Sequence, residues 1–334
     1  MIRSVPRATA VALLALLAAA AHAQIQERTI KFTTQNPKGH PLVTGMEKFA
    51  ELVAARTGGR IKVNLFPGGV LGGDAANVSA LQGGTIEMVV LNSGILASQA
   101  KEFAVFDFPF MFADAREADA VVDGDFGKMM LAKLDGKNMH GLAYWELGFR
   151  NITNSRRAIT KVDDIAGLKI RVIPNAINVD WVSVLGANPT PMAFPEVYSG
   201  LEQKAIDGQE NPLTVILANK FYEVQKYLTI TNHQYNPQTV IVSGKLWDAL
   251  SAEEKRIFTD SALEAGRYQR KVSREQAGHA LETLGKDGMQ ITRLSAPELE
   301  KFRARMKPVI AKHSAIVGAE VVEALMSELN KLRK

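Results

Sequence analysis

An arginine stands inside the apolar run Leu168-Lys169-Ile170-Arg171-Val172, just before the break at Pro174-Asn175. Arginine is rarely buried without a partner, so Arg171 fits either a solvated strand face or an anion site. Its place favours the second. Ligands of open α/β sheets bind beyond the carboxyl ends of strands, and a guanidinium offers a carboxylate two parallel hydrogen bonds. Arg150 follows Gly148-Phe149 in a similar setting, and two arginines converging on one cleft would hold an anion; Arg156 and Arg157 read as surface charges. Asn211 precedes Pro212, which keeps it extended and can open a helix. It serves either as the cap of that helix or as a ligand contact from the same loop. Phe194, in Pro191-Met192-Ala193-Phe194-Pro195-Glu196, fits a core aromatic or a pocket wall.

Other candidate chemistries fail on their residues. The stretch Gly68-Gly69-Val70-Leu71-Gly72-Gly73 lies where a phosphate loop would, but its glycines miss G-x-G-x-x-G and Asp74 stands where a Walker loop needs lysine. It reads as a turn with mobile backbone. Ser98-Gln99-Ala100-Lys101 matches S-x-x-K, yet no K-T-G or S-D-N partner and no G-x-S-x-G elbow accompany it, so the match is taken as coincidence. His22, His40, His140, His233, His279 and His313 are scattered, with no H-E-x-x-H and no pair at ligand spacing. No cysteine is present, which removes disulfides, thiolate metal sites and a Cys nucleophile together. The expectation is a protein with no catalytic group, no metal and no cofactor. A formal charge of +5, spread along the chain and including Arg3 and Arg7, argues against nucleic acid as a partner.

These residues need a frame that gathers strand ends. Thr29–Thr34, Ile61–Phe66 and Ile86–Leu91 read as strands, separated by the helical spacing of Val43, Met46, Phe49, Leu52 and Val53 and by a helix over about Ala75–Leu81. Strand and helix alternating in this way imply parallel pairing with right-handed crossovers, an α/β fold. A strand from Met139 to Trp145 leads through Gly148 into a second block: Leu168–Val172, a helix over Asn178–Leu185, and strands at Tyr227–Thr231 and Thr239–Val242. The chain thus crosses between two lobes rather than finishing one first. A long helix follows from Ala252 to about Leu284, then a short strand Met289–Thr292 and another helix. Ser251-Ala252-Glu253-Glu254 and Ser295-Ala296-Pro297-Glu298 both fit a capping box.

At the other end, Arg3 and Arg7, the apolar run Val11–Leu17 and the small residues ending Ala21-His22-Ala23 form the three parts of a cleaved secretory signal. A membrane anchor would need about 20 apolar residues, whereas this run is short and interrupted by His22. Cleavage after Ala23 is expected, leaving a mature chain that starts near Gln24 and works outside the cytoplasm. At 334 residues and 46% hydrophobic content, enough chain remains for two domains with real cores.

The chain resembles the extracytoplasmic solute-binding proteins of tripartite ATP-independent periplasmic (TRAP) transporters, the DctP family. The stretches that carry the likeness are Pro189 to Tyr198, Ala205 to Pro212, Lys220 to Lys226, Gly167 to Val172 and Gly148 to Asn151. The resemblance implies a two-lobed periplasmic-binding-protein clamshell of type II-like α/β architecture, with crossing strands and a long C-terminal helix linking the lobes. After the signal at 1–23, one lobe takes 24–148 plus about 237–276 and the other 149–236 plus about 277–334. By the same resemblance Arg171 is the carboxylate anchor, Arg150 a second cationic contact, Asn211 a further polar contact and Phe194 a wall. Gln35, Asn92 and Asp74 then stand where the family selects its substrate. The segment Asn92 to Ile95 lacks the Glu and Arg of the sialic-acid branch. The expected ligand is an organic acid, a uronate or aldonate ahead of a four-carbon dicarboxylate, delivered in the periplasm by a monomer to permease subunits. The rival readings are a periplasmic enzyme acting on an organic acid and a ligand-presenting partner of a sensor.

Overall fold

A computed structural model of the chain describes residues 25–333; the expected signal segment and its cleavage point lie outside the described residues. Nine strands run β1 (Arg28–Thr33), β2 (Ile61–Phe66), β3 (Met88–Asn92), β4 (Met139–Asn154), β5 (Lys169–Val172), β6 (Asn188–Pro191), β7 (Gly208–Asn211), β8 (Tyr227–Ser243) and β9 (Gln290–Arg293). β1 pairs in parallel with β2 and β3, the helices Pro41–Arg56 and Asp74–Gln82 supplying the crossovers that parallel neighbours require. β5 likewise pairs in parallel with β6 and β7. Between the two groups lie β8 and β4, giving the order β2-β1-β3-β8-β4-β7-β5-β6, with β9 beside β8.

β4 and β8 are single strands of 16 and 17 residues, where the sequence suggests shorter strands with breaks at Gly148 and near Pro237. The breaks are real but local. β4 shifts register against β8 between Glu146 and Gly148, and Pro237 stands opposite Glu146, so the residue with no N–H sits at an irregularity that can spare one. Gly148 has φ 115°, a conformation a side chain would resist. The two long strands bend there and pass from one lobe to the other.

Side chains alternate across the sheet and divide the core between its faces. Met88, Val90 and Trp145 enter one cluster; Val89, Leu91 and Tyr144 enter the other. On the first face Phe32, Phe49 and Phe258 meet edge to face beneath the helix Ala252–Lys286, 35 residues long. That helix is pinned at the bend: the Gln269 amide accepts from Glu146 N at 2.9 Å and donates to Glu146 O at 2.7 Å, and Arg274 Nη2 reaches the Glu146 carboxylate at 2.7 Å. The Ser251 capping box forms as expected. The one at Ser295 does not; the Glu298 carboxylate instead accepts from Val162 N at 2.6 Å, a tertiary partner outcompeting the local one. No described helix is long and apolar enough to cross a membrane.

Candidate functional site

β1, β3, β5 and β7 end on a cavity of about 400 Å³ where β4 and β8 cross between lobes. All seven residues singled out in the sequence line it: Gln35, Asp74, Asn92, Arg150, Arg171, Phe194 and Asn211. Its size falls in the range of small-molecule pockets.

Arg171 is 2% exposed, which rules against the solvated strand face. Nε and Nη2 donate to the Met192 carbonyl at 3.0 and 2.8 Å, while Nη1 makes no hydrogen bond among the described residues. The guanidinium lies 5.7 Å from the centroid of Phe194, which in turn meets Phe221 edge on. Burial, reinforced by the Arg150 charge, pulls the Arg171 pKa down to about 10. It remains a cation at neutral pH, bonded to a carbonyl rather than a carboxylate.

Arg150 differs in that its charge already has a partner within the protein. Nε and Nη2 bond to both carboxylate oxygens of Glu210, Nη2 also to the Glu210 carbonyl, and Nη1 to Asn236 Oδ1 at 2.6 Å. Every nitrogen already donates and the charge is met by a buried carboxylate. Arg150 therefore shapes the wall and its field, and Arg171 carries the unmatched positive charge. His233 Nε2 lies 3.3 Å from Glu210 on the far side, and burial holds its pKa below the usual imidazole value.

Asn211 ends β7 and is not a cap: the helix Leu213–Ala218 starts on Pro212 with no side-chain bond. The opposite wall is made of pinned polar groups. Gln35 Nε2 donates to Gly72 O at 2.8 Å, which leaves Oε1 buried and unpartnered. Asn92 Oδ1 caps the turn Ser93–Ser98 by accepting from Gly94 N at 2.7 Å, which leaves Nδ2 buried and unpartnered. Asp74 is half-buried, but its Oδ1 is sealed and unpartnered; burial raises its pKa to about 6 against the pull of Arg171.

Three further polar residues that the sequence did not single out line the cavity, Thr34, Asn36 and Gln238, each with one buried, unpartnered polar atom. The polar run Thr33 to Asn36 at a strand end was the available signal for two of them. Gln238 was visible only through pairing, since it stands opposite Asn92 in the β3–β8 register. Six such atoms on one cavity, each costing about 1–3 kcal/mol when left bare, mark a surface built to meet a polar ligand.

The glycine-rich turn has a steric role at the cleft. Gly69 adopts φ 70°, and a Cβ there would fall 2.8 Å from Gln35 Oε1 and 3.4 Å from Pro195 Cγ on the opposing rim. A Cβ on Gly73 would face Ala193 Cβ at 3.7 Å. Glycine lets the two rims of the cleft meet. Gly69→Val is expected to hold them apart, which small-angle scattering would read as a larger radius of gyration; an unchanged radius would remove this lip from the account.

Ser98 also lines the cavity, but its hydroxyl donates to Ile95 O at 3.1 Å and no hydrogen bond joins it to Lys101. Among the described residues no three His, Asp or Glu side chains are grouped as a metal would require.

The chain matches bacterial extracellular solute-binding protein, family 7 (DctP), over residues 32–315. It is 38% identical to the 2,3-diketo-L-gulonate-binding periplasmic protein YiaO of Escherichia coli, over 82% of this chain and 84% of that protein. Among solved structures it is 53% identical to a TRAP periplasmic solute-binding protein from Ochrobactrum anthropi whose C-terminus is bound in the ligand-binding pocket, with TM-score 0.83 over 92% of this chain and 96% of that one. It is 41% identical to the sugar acid binding protein of Advenella mimigardefordensis in complex with galactonate, with TM-score 0.90 over 92% and 99%.

Proposed function

The chain belongs to family 7 of the bacterial extracellular solute-binding proteins, those of TRAP transporters, and from that premise we propose that it captures a sugar acid, an aldonate or uronate, for a membrane permease. The observation that carries the choice of ligand is the pinned sense of the wall opposite Arg171. Gln35 Oε1 and Asp74 Oδ1 can only accept, and Asn92 Nδ2 can only donate. A hydroxyl both donates and accepts, whereas a carboxylate only accepts. A polyol acid therefore satisfies this wall once its carboxylate reaches Arg171. The second carboxylate of a four-carbon diacid would find the donors Asn92 Nδ2 and Gln238 Nε2 but would also face the Gln35 acceptor and the Asp74 charge.

In this reading a monomer of two lobes, 24–148 plus about 237–276 and 149–236 plus about 277–334, closes on its ligand in the periplasm after losing 1–23, and releases it unchanged. Closing excludes water and strengthens the ion pair as the effective dielectric falls. The galactonate and 2,3-diketo-L-gulonate relatives support the ligand class.

A thermal-shift screen tests it. A ligand at 100 times its dissociation constant adds about 2.7 kcal/mol of stability. Galactonate or galacturonate is expected to raise the melting temperature of the wild type at pH 7.5, and succinate to do little. Asp74→Asn removes the charge and supplies a donor, so it should narrow the gap between succinate and the sugar acids. Because the Asp74 pKa lies near 6, the wild type should approach the variant as pH falls through that value. A wild type that prefers succinate at pH 7.5 would overturn the sugar-acid assignment, and turnover of a bound acid would favour the enzyme reading.

A further inference from the structure

Asn211 does not stand alone behind the cleft. Its Nδ2 donates to Gln209 Oε1 at 2.6 Å, Gln209 Nε2 donates to Thr153 Oγ1 at 2.8 Å, and the Thr153 hydroxyl donates to Gln225 Oε1 at 2.9 Å. The chain ends on backbone: Gln225 Nε2 donates to Val224 O at 2.9 Å and to Asp207 O at 3.4 Å. All four side chains are at most 2% exposed. Thr153 and Gln209 are direct cross-strand partners on β4 and β7, and Gln209 is in turn paired with Arg171 on β5.

The sense of these bonds is fixed from the far end. Only an N–H can meet the Asp207 and Val224 carbonyls, so Gln225 must present its oxygen to Thr153. A hydroxyl has one proton, and Thr153 gives it to Gln225; the other acceptor within reach, Gln209 O, is 3.5 Å away, beyond a good O–H···O distance. Thr153 can then only accept from Gln209, whose oxygen must accept from Asn211. The Asn211 amide is thereby left with its carbonyl oxygen and one N–H for the cleft, in one orientation.

We propose that Gln209, Thr153 and Gln225 are positioning residues for ligand binding, a one-way hydrogen-bond relay that sets the rotamer and sense of the Asn211 amide beside Arg171. The proposal rests on the cleft capturing an acid, and its test separates the two. In 15N-labelled protein without ligand, Thr153→Val is expected to shift the Asn211 side-chain amide resonances and speed their exchange, while Thr153→Ser leaves both near wild type. With galactonate as the probe in calorimetry, Thr153→Val should bind about tenfold more weakly, Thr153→Ser close to wild type, and Thr153→Val should cost less than about twofold when Asn211 is already alanine, as coupled neighbours require. Gln225→Met breaks the relay at its far end and serves if Thr153→Val does not fold. Equal losses with and without Asn211, or unmoved Asn211 resonances, would overturn the relay. Failure of the wild type to bind galactonate, galacturonate or succinate would overturn the capture reading alone, because the resonances report the relay with no ligand present.

Discussion

Arg171→Ala is expected to weaken acid binding by about a hundredfold or more, since it removes two charge-assisted bonds worth about 1.5–3 kcal/mol each. The geometry says why nothing nearby can substitute. Arg150 has one Nη1 N–H left over, too few for a two-pronged carboxylate bond, and its charge is met by Glu210. Met192 O and the Phe194 face fix the Arg171 guanidinium plane, so its free edge is aimed before the ligand arrives. Arg171→Lys should recover little, because an ammonium has no planar fork and cannot hold Met192 O and a bidentate carboxylate together. Stability should move the other way. A buried cation with no bonded carboxylate is costly to hold, so the ligand-free alanine variant should melt no lower than wild type. Calorimetry finding wild-type affinity in either variant would refute Arg171 as the anchor, and a large drop in melting temperature would mean that the residue is structural first.

The convergence of seven sequence-singled residues on one cavity has a physical basis. Arg171 stands near the end of an apolar strand and Asn211 ends the polar strand β7, and in an α/β sheet strand ends share one crevice; Gln35, Asn92 and Asp74 were legible only through the family resemblance. Period and composition also suffice for β2, for the helix Ala252–Lys286 and for the Ser251 cap. What stayed hidden depends on partners distant in sequence. Nothing local tells that Arg150 is neutralised by Glu210, 60 residues on. Glu298 fits a capping box by spacing, and only the approach of Val162 N takes it away. Gly148 and Pro237 end strands in most contexts, and here they mark irregularities because the opposite strand absorbs the shift. β6, Asn188-Pro189-Thr190-Pro191, carries two prolines and is a strand only as the last member of the sheet, where the missing donors cost nothing.

The buried pair that Arg150 makes is where the second large effect is expected. Glu210 and Arg150 are both fully enclosed, and removing one partner of such a pair leaves an uncompensated charge at a cost of about 3–5 kcal/mol. Glu210→Gln keeps the shape and one acceptor, yet leaves the Arg150 charge unmet, so the melting temperature should fall by roughly 10 °C. The pH dependence identifies the cause. Burial alone would raise the Glu210 pKa, but Arg150 outweighs it and holds the value down to about 2. A carboxyl depressed on folding contributes stability that is complete above its ordinary value near 4.5 and is lost as pH falls toward 2. The Glu210 contribution to the gap between wild type and Glu210→Gln should therefore be constant from pH 7 to about 5 and close below it. His40, whose pKa burial lowers to about 3, titrates alike in both proteins and cancels in the difference. Asp107, raised to about 6 by burial with the Glu210 charge contributing, and His233, which Glu210 holds up against burial, both shift when Glu210 is replaced, so the closing below about pH 5 is the part that reads Glu210 itself. Binding should respond differently from Arg171→Ala: with Arg150 unneutralised the cleft is more positive, so any lost affinity should be smaller than for Arg171→Ala and the preference against a diacid weaker. A Glu210→Gln protein as stable as wild type at pH 7 would mean that Arg150 is not held as a charged pair, and would return it to the ligand.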